Sequence, residues 1–338
     1  MTAPLTPDVL DVPLASALYR TMLRIRRVEE RIRDLYAAGR LPGFIHLSIG
    51  QEAVAAGACA PLRRDDTVTS THRGHGHYLA KGGSLRGLVA ELYGKATGCC
   101  RGKGGSMHIA DVAAGYLGAN GVLTAGLPLA CGAALSARMR GTDQVCLAFF
   151  GDGAANRGPF HEAVNLAAAW ALPVVFLCEN NGWASSTAFA AATAGGSIAG
   201  RAAGYGIVGL SLDGNEALTV HAAVAAAVAR ARAGGGPSLL EARTIRWQGH
   251  FEGDPQVYRE KTEVLDGRRA DPLGRLAERL RTASTWDERW AKEVEETILA
   301  EIDDAVAFAE ASPDPEPAAA FTDLFVRDVE DRRRPGGP

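Results

Sequence analysis

No stretch of the 338-residue sequence stays apolar long enough to span a bilayer, and Met1 to Pro13 show no basic region followed by an apolar core. Neither export nor membrane insertion is expected, and the chain reads as cytoplasmic. Charge of one sign is missing too. The 36 Lys and Arg and 39 Asp and Glu are mixed along the whole length and leave a formal net charge of −3. There is no footprint for nucleic acid or an anionic membrane, and the Arg332, Arg333, Arg334 triplet is expected to be a solvated tail. Zinc-type and thioredoxin-type spacings are absent from Cys59, Cys99, Cys100, Cys131, Cys146 and Cys178. Most of these cysteines lie in apolar runs, so all are expected to be buried thiols. Repeats and low-complexity tracts are lacking as well.

What is present suits a soluble globular protein: 47% of the residues are hydrophobic and 22% charged, enough for a sizeable core in one large or two ordinary domains. Leu14, Leu18, Met22, Ile25, Val28, Ile32 and Leu35 recur at spacings of three and four, which predicts an amphipathic helix over 14–38. The arginines and glutamates on its other faces read either as a solvated surface or as a subunit contact. From about 118 to 246, strand-like runs at 145–150, 173–178, 206–212 and 238–245 alternate with helical stretches at 158–170 and 215–233. An Ala- and Gly-rich helix is expected near 124–139. This alternation predicts an α/β fold with a parallel sheet flanked by helices. The organisation expected is an N-terminal arm and helix (1–40), a main domain (41–311), and a linker and C-terminal segment (312–338) introduced by SPDPEP.

The most informative feature is Gly151-Asp152-Gly153 directly after one predicted strand, with Asn180-Asn181 ending the next. In parallel sheets ligands bind beyond the carboxyl ends of the strands, so Asp152 and Asn181 should converge. Flanking glycines allow close backbone approach, and the start of the following helix offers free N–H groups. Carboxylate and amide oxygens are hard ligands suited to a magnesium ion that also binds phosphate oxygens. Either dipeptide alone is a common turn or loop; the pairing on a βαβ pattern is what points to a magnesium diphosphate clamp.

These residues, with GDGAANRG, FHEAVNLAAAWALP and VVFLCENN running from 151 to 181, resemble the thiamine-diphosphate motif. More narrowly, residues 19–326, including IRRVEERIRDLYAAGRLPGFIHLSIGQEAVAAG, are similar to alpha subunits of thiamine-diphosphate-dependent 2-oxo acid dehydrogenases. The resemblance implies a thiamine-diphosphate-binding fold of the diphosphate-binding type, with thiamine diphosphate and Mg2+ as cofactors. By it, Asp152, Asn181 and the main-chain carbonyl of Trp183 would bind the metal, Trp183 standing where tyrosine is commoner. Gly153 and Ala154 would lie along the diphosphate, and His72 and Arg73 of STHRGHG would hold it. A guanidinium suits phosphate because it presents several donors in a planar fork; the alternative for Arg73 is a surface ion pair. Gly121 and Leu123 would touch the aminopyrimidine side, and Arg246 is a further cofactor-binding candidate.

The turn-rich segment 246–255 reads as an active-site loop, and a histidine there can donate to phosphate or exchange protons. His75 and His250 match the family's histidines and are the expected acid/base residues; His46 is placed near the substrate channel or else is a packed or surface histidine. Segments 105–121 and 249–259 look most like acetoin dehydrogenase alpha subunits, with pyruvate and branched-chain 2-oxo acids as rival substrates. The resemblance also implies a beta subunit completing an alpha-two, beta-two heterotetramer, and a lipoyl-bearing acyltransferase that receives the product fragment. Glu52, Glu162 and Glu179 fall in the matched half, and packing or surface roles are expected for them. A noncatalytic cofactor-binding scaffold is the rival of another class, against which the retained His75, His250 and Arg73 argue.

Overall fold

A computed structural model describes residues 10–323, so the arginine triplet at 332–334 lies outside the described residues. Six parallel strands form the central sheet: β1 (Thr67–Thr69), β2 (Tyr116–Gly118), β3 (Cys146–Gly151), β4 (Val174–Asn180), β7 (Val208–Asp213) and β8 (Ser238–Arg243). Their order is β2-β1-β3-β4-β8-β7, and a small antiparallel hairpin joins β5 (Trp183–Ala184) to β6 (Thr187–Ala188). The order turns back at β1, whose successors in sequence lie on its two opposite sides. Such a switch point leaves a crevice at the carboxyl ends.

Residues alternate across the sheet, and both faces are buried. Leu147, Phe149, Val175 and Leu177 enter one core, while Cys146, Ala148, Phe150, Val174, Phe176 and Cys178 enter the other. This explains why β3 and β4 read as unbroken apolar runs rather than as an alternating pattern. The first core is roofed by helices α1 (Val12–Ala37), α2 (Glu52–Cys59), α3 (His75–Ala80), α4 (Leu85–Leu92), α8 (Ala217–Arg232), α10 (Pro272–Thr282) and α11 (Glu288–Ala311). The second is covered by α5 (Gly126–Met139) and α6 (Gly158–Ala169). The short α7 (Phe189–Ala192) and α9 (Lys261–Arg269) flank the hairpin and the turn-rich loop.

Several expectations shift. The sheet begins at β1, well before 118, because two three-residue strands extend it on one side. The expected strand 206–212 runs from Val208, and Cys99 and Cys100 are only half-buried, unlike the other four thiols. The charged faces of α1 turn out to bind its own chain. Arg26 is buried against Glu52, and Arg24, Arg27 and Arg31 pair with Glu301, Glu295 and Asp303 of α11. After α11 the SPDPEP segment is docked rather than loose: Ala96 N–H donates to the Pro313 carbonyl, and Lys95 pairs with Asp314.

Candidate active site

Segments following the carboxyl ends of five strands wall one cavity of about 440 Å3. β1 delivers His72 and Arg73, β2 Gly121 and Leu123, β3 Asp152, Gly153 and Ala154, β4 Asn181 and Trp183, and β8 Arg246 and His250. Every residue assigned from sequence to cofactor or metal therefore meets at this wall. The register explains the convergence of the first pair, since Gly151 lies beside Glu179 and places Asp152 next to the end of β4.

Asp152 is 2% exposed, and its Oδ2 has no hydrogen-bond partner. Burial pushes its carboxyl up to about 6, and the neighbouring main-chain N–H groups and the Arg246 charge offset only part of that. A buried, unpartnered carboxylate oxygen is costly, and a hard cation is the partner that relieves it. Asn181 is held by two contacts: its Nδ2 donates to Gln51 Oε1 at 2.9 Å, and its Oδ1 accepts the Trp183 N–H at 3.2 Å, leaving a second lone pair. Trp183 opens the β5–β6 hairpin and is anchored by its indole N–H to Glu263 Oε1 at 2.6 Å. The hairpin sits so close that a Cβ on Gly153 would lie 2.4 Å from Ala184 Cβ.

Two buried guanidiniums face the same space. Arg73 donates to the main-chain carbonyls of Leu47 at 2.6 Å and His250 at 2.9 Å, and burial, then Arg246, pulls it down to about 9. Arg246 donates to the Tyr258 hydroxyl at 2.8 Å and the Gln248 carbonyl at 3.2 Å, and burial lowers it also. All four oxygens are neutral, so a surface ion pair does not describe Arg73. Among the described residues neither cation pairs with a carboxylate, which fits an anionic ligand. The residues thus fit a phosphate-bearing group clamped by a hard cation.

Three imidazoles line the same cavity. The His46 and His72 rings are 4.6 Å apart between centroids, His46 and His250 5.2 Å, and His72 and His250 5.4 Å. Burial and then Arg73 lower His46 to about 3, His72 to about 2 and His250 to about 4. All three are therefore neutral near pH 7, each ring keeping one N–H donor and one lone-pair acceptor.

His75 does not join them. It is the first residue of α3 and is fully buried behind the wall, with Nε2 2.9 Å from Ser106 Oγ and Nδ1 3.3 Å from Glu29 Oε2. The carboxylate from α1 and the serine hydroxyl meet both ring nitrogens, and His75 does not line the cavity. Conversely, Glu179 lines the cavity and pairs with His77 at 3.2 Å, while Ser70 Oγ meets the other ring nitrogen of His77 at 2.8 Å. The signal for Glu179 was its place, a lone carboxylate at the end of a buried apolar strand. Glu52 is buried against Arg26, and Glu162 is exposed on α6.

Residues 20–318 match the family described as "Dehydrogenase E1 component". The chain belongs to that family. As an E1 chain it is an alpha-type subunit of a thiamine-diphosphate-dependent dehydrogenase, an oxidoreductase that works with a beta subunit. Among its relatives is the alpha subunit of an acetoin:2,6-dichlorophenolindophenol oxidoreductase from Bacillus subtilis, 49% identical over 310 residues, 91% of this chain and 92% of the relative. The protein of the same name from Cupriavidus necator is 46% identical over 331 residues, 96% of this chain and 99% of the relative. The alpha subunit of a pyruvate dehydrogenase E1 component from Rhizobium meliloti is 41% identical over 309 residues, covering 91% and 89%. No helix of this E1 chain, among the described residues, is long and apolar enough to cross a membrane.

Proposed function

We propose that this E1 chain is the alpha subunit of an acetoin-cleaving enzyme that holds thiamine diphosphate through Mg2+. The observation that carries the cofactor half is the unpartnered Asp152 Oδ2 sharing one cavity wall with two guanidiniums bonded only to uncharged groups. Asp152, the Asn181 side chain and the Trp183 carbonyl would hold the metal. Arg73, Arg246 and His72 would hold the diphosphate, and Gly121 and Leu123 would bound the aminopyrimidine side. When bound, thiamine diphosphate supplies a carbanion that adds to a carbonyl carbon and then accepts the electrons released as a C–C bond breaks.

The chain's own residues orient the reactants and manage protons. His250, neutral at pH 7, would hydrogen-bond a substrate oxygen, while the His75–Ser106 contact steadies the segment that carries Met107 to the wall. Acetoin is favoured over pyruvate by the two acetoin-named alpha subunits at 49% and 46% identity, against 41% and 42% for two pyruvate-named relatives. The two-carbon fragment would pass to a lipoyl group on an acyltransferase, the working assembly being an alpha-two, beta-two heterotetramer in the cytoplasm.

The test is to co-express the cognate beta chain and follow reduction of an artificial acceptor with acetoin, pyruvate or a branched-chain 2-oxo acid. Acetoin should give the highest kcat/KM. A higher value for pyruvate overturns the substrate assignment, and calorimetry showing no Mg2+-dependent binding of thiamine diphosphate overturns the cofactor assignment.

A further inference from the structure

Cys99 and Cys100 stand apart from the cofactor cavity and from the other cysteines. Both are half-buried, whereas Cys59, Cys131, Cys146 and Cys178 are buried. Their two sulfurs and a carboxylate oxygen of Glu91 all lie within 4.8 Å of one another. Glu91, fully buried near the end of α4, gathers the turn that follows. Its Oε2 accepts the Cys100 and Gly102 N–H groups at 2.8 and 2.9 Å, and its Oε1 those of Gly104 and Gly105 at 2.8 and 3.0 Å. Four donors fill the carboxylate, which leaves it no lone pair for a metal ion shared with the sulfurs. Across the loop, Cys100 Sγ accepts the Ala110 N–H at 3.0 Å. Cys100 thus ties the loop from 100 to 110 to Glu91 at one end and closes it on Ala110 at the other. That loop carries Ser106 to His75 and Met107 to the cavity wall.

We infer that Cys99 and Cys100 form a modification site, a vicinal dithiol that low-molecular-weight disulfides convert into a Cys99–Cys100 bridge, and that closing the bridge loosens the loop carrying Met107 to the cavity. Cys100 is the attacking sulfur. Cys99 and the Ala110 N–H lower its thiol against the opposing effect of burial, whereas the hydrogen bond to Cys100 and burial raise Cys99. Burial pushes Cys131 up to about 11 and Cys59 and Cys146 up to about 12, which leaves them unreactive. The Cys100 thiolate attacks one sulfur of the small disulfide, forming a mixed disulfide and releasing a thiolate that takes up the proton Cys100 lost. Cys99 then attacks Cys100 Sγ and expels the second small thiol, which takes up the Cys99 proton. Two protein thiols are oxidised to one disulfide as one small disulfide is reduced to two thiols. Consecutive Cα atoms lie about 3.8 Å apart, short of the roughly 4.4–6.8 Å of ordinary bridges, so closure must turn the peptide unit that joins them. That unit contains the Cys100 N–H held by Glu91. Closure therefore withdraws one of four donors from a buried carboxylate and draws Cys100 Sγ off Ala110. So tight a ring is easily reduced, which makes the change reversible. Its effect on thiamine diphosphate rests on the cofactor reading; the thiol chemistry does not.

The full chain is incubated with glutathione disulfide and its thiols are mapped by peptide mass spectrometry without reduction. The expected product is a peptide spanning both cysteines that has lost two hydrogens and carries no glutathione, and dithiothreitol should reverse it. Cys99→Ser should stop at a glutathione adduct on Cys100. Hydrogen exchange of the amides from 100 to 110 should quicken roughly tenfold on closure and slow again on reduction. Mg2+-dependent affinity for thiamine diphosphate, measured on the same preparations, should fall by a similar factor. A glutathione adduct or an unreacted pair as the end product in the unaltered chain overturns the site, and so does the absence of an adduct on Cys100 in the variant. Unchanged exchange after closure overturns the coupling to the loop. If the reduced chain binds no thiamine diphosphate, the cofactor reading fails while the mass and exchange results still decide the inference. If the reduced and bridged chains bind it equally well, the cofactor reading stands and the effect on the cavity is overturned.

Discussion

At the scale of single residues, the decisive side chain is Asp152, whose carboxyl is raised to about 6 chiefly by burial. A group raised in the folded state adds stability while protonated. That contribution is complete below the unfolded value near 4 and is lost as pH rises through about 6. With no cofactor present, Asp152→Asn should therefore stabilise the chain at pH 8 by up to about 3 kcal/mol, and the gain should vanish towards pH 4. The same variant should lose Mg2+-dependent binding of thiamine diphosphate. Urea melts of both proteins across this pH range check the first expectation, and a variant less stable at pH 8 would refute it. The meeting of Asp152 and Asn181 at one cavity was legible because a charged residue between two glycines after an apolar run has few structural uses. The histidines were only half legible. His72 and His75 sit three residues apart in one matched segment, and which of them reaches the cavity depends on Glu29, which drew His75 inward from a helix whose polar faces gave no sign of being buried.

At the scale of elements, the contact between the β3 end and the hairpin makes the sharpest prediction. Gly153 has no conformational need to be glycine, since its φ is −64°, but an added Cβ would press on Ala184. Gly153→Ala should lower both the melting temperature and cofactor affinity by pushing the hairpin, and with it Trp183, off the β3 turn. Ala184→Gly in the same chain should restore much of both, because it removes the atom struck. Additive losses in a double-mutant cycle would show that the contact is not the cause. The loop after β8 gives a second expectation. Phe251 follows His250, and the only hydroxyl from 246 to 258 is Tyr258. A serine- and threonine-directed kinase acting on related dehydrogenases should leave activity unchanged, with no phosphate found on this loop by mass spectrometry. Among the strands, β3, β4 and β8 were readable because each is a long run buried on both faces. β1 and β2, at three residues each, are too short to show a period, and only their pairing with β3 and each other defines them.

At the scale of the molecule, the proposed function makes the cavity half of a catalytic site. Thiamine chemistry needs a carboxylic acid beside the aminopyrimidine ring, and on the proposed reading that acid comes from the beta subunit. The cavity carboxylates of this E1 chain are otherwise committed: Glu179 is paired with His77, and Asp152 faces the proposed metal. The chain free of any second polypeptide should thus show no acetoin- or pyruvate-dependent reduction of an artificial acceptor, and adding the beta chain should start it. Steady turnover by a preparation that mass spectrometry shows to be a single chain would place the acid within these residues. The strand order bears on how such a chain is made. β8 is synthesised after β7 yet lies between β7 and β4, so a nascent chain that has completed residue 213 cannot close its sheet until residue 243 has emerged. At translation rates of roughly 5–20 residues per second, the β4 edge is left open for seconds on the ribosome. During that interval an unpaired edge of Val, Phe and Leu is exposed to self-association, and the nascent chain depends on chaperone cover more than its finished form would suggest.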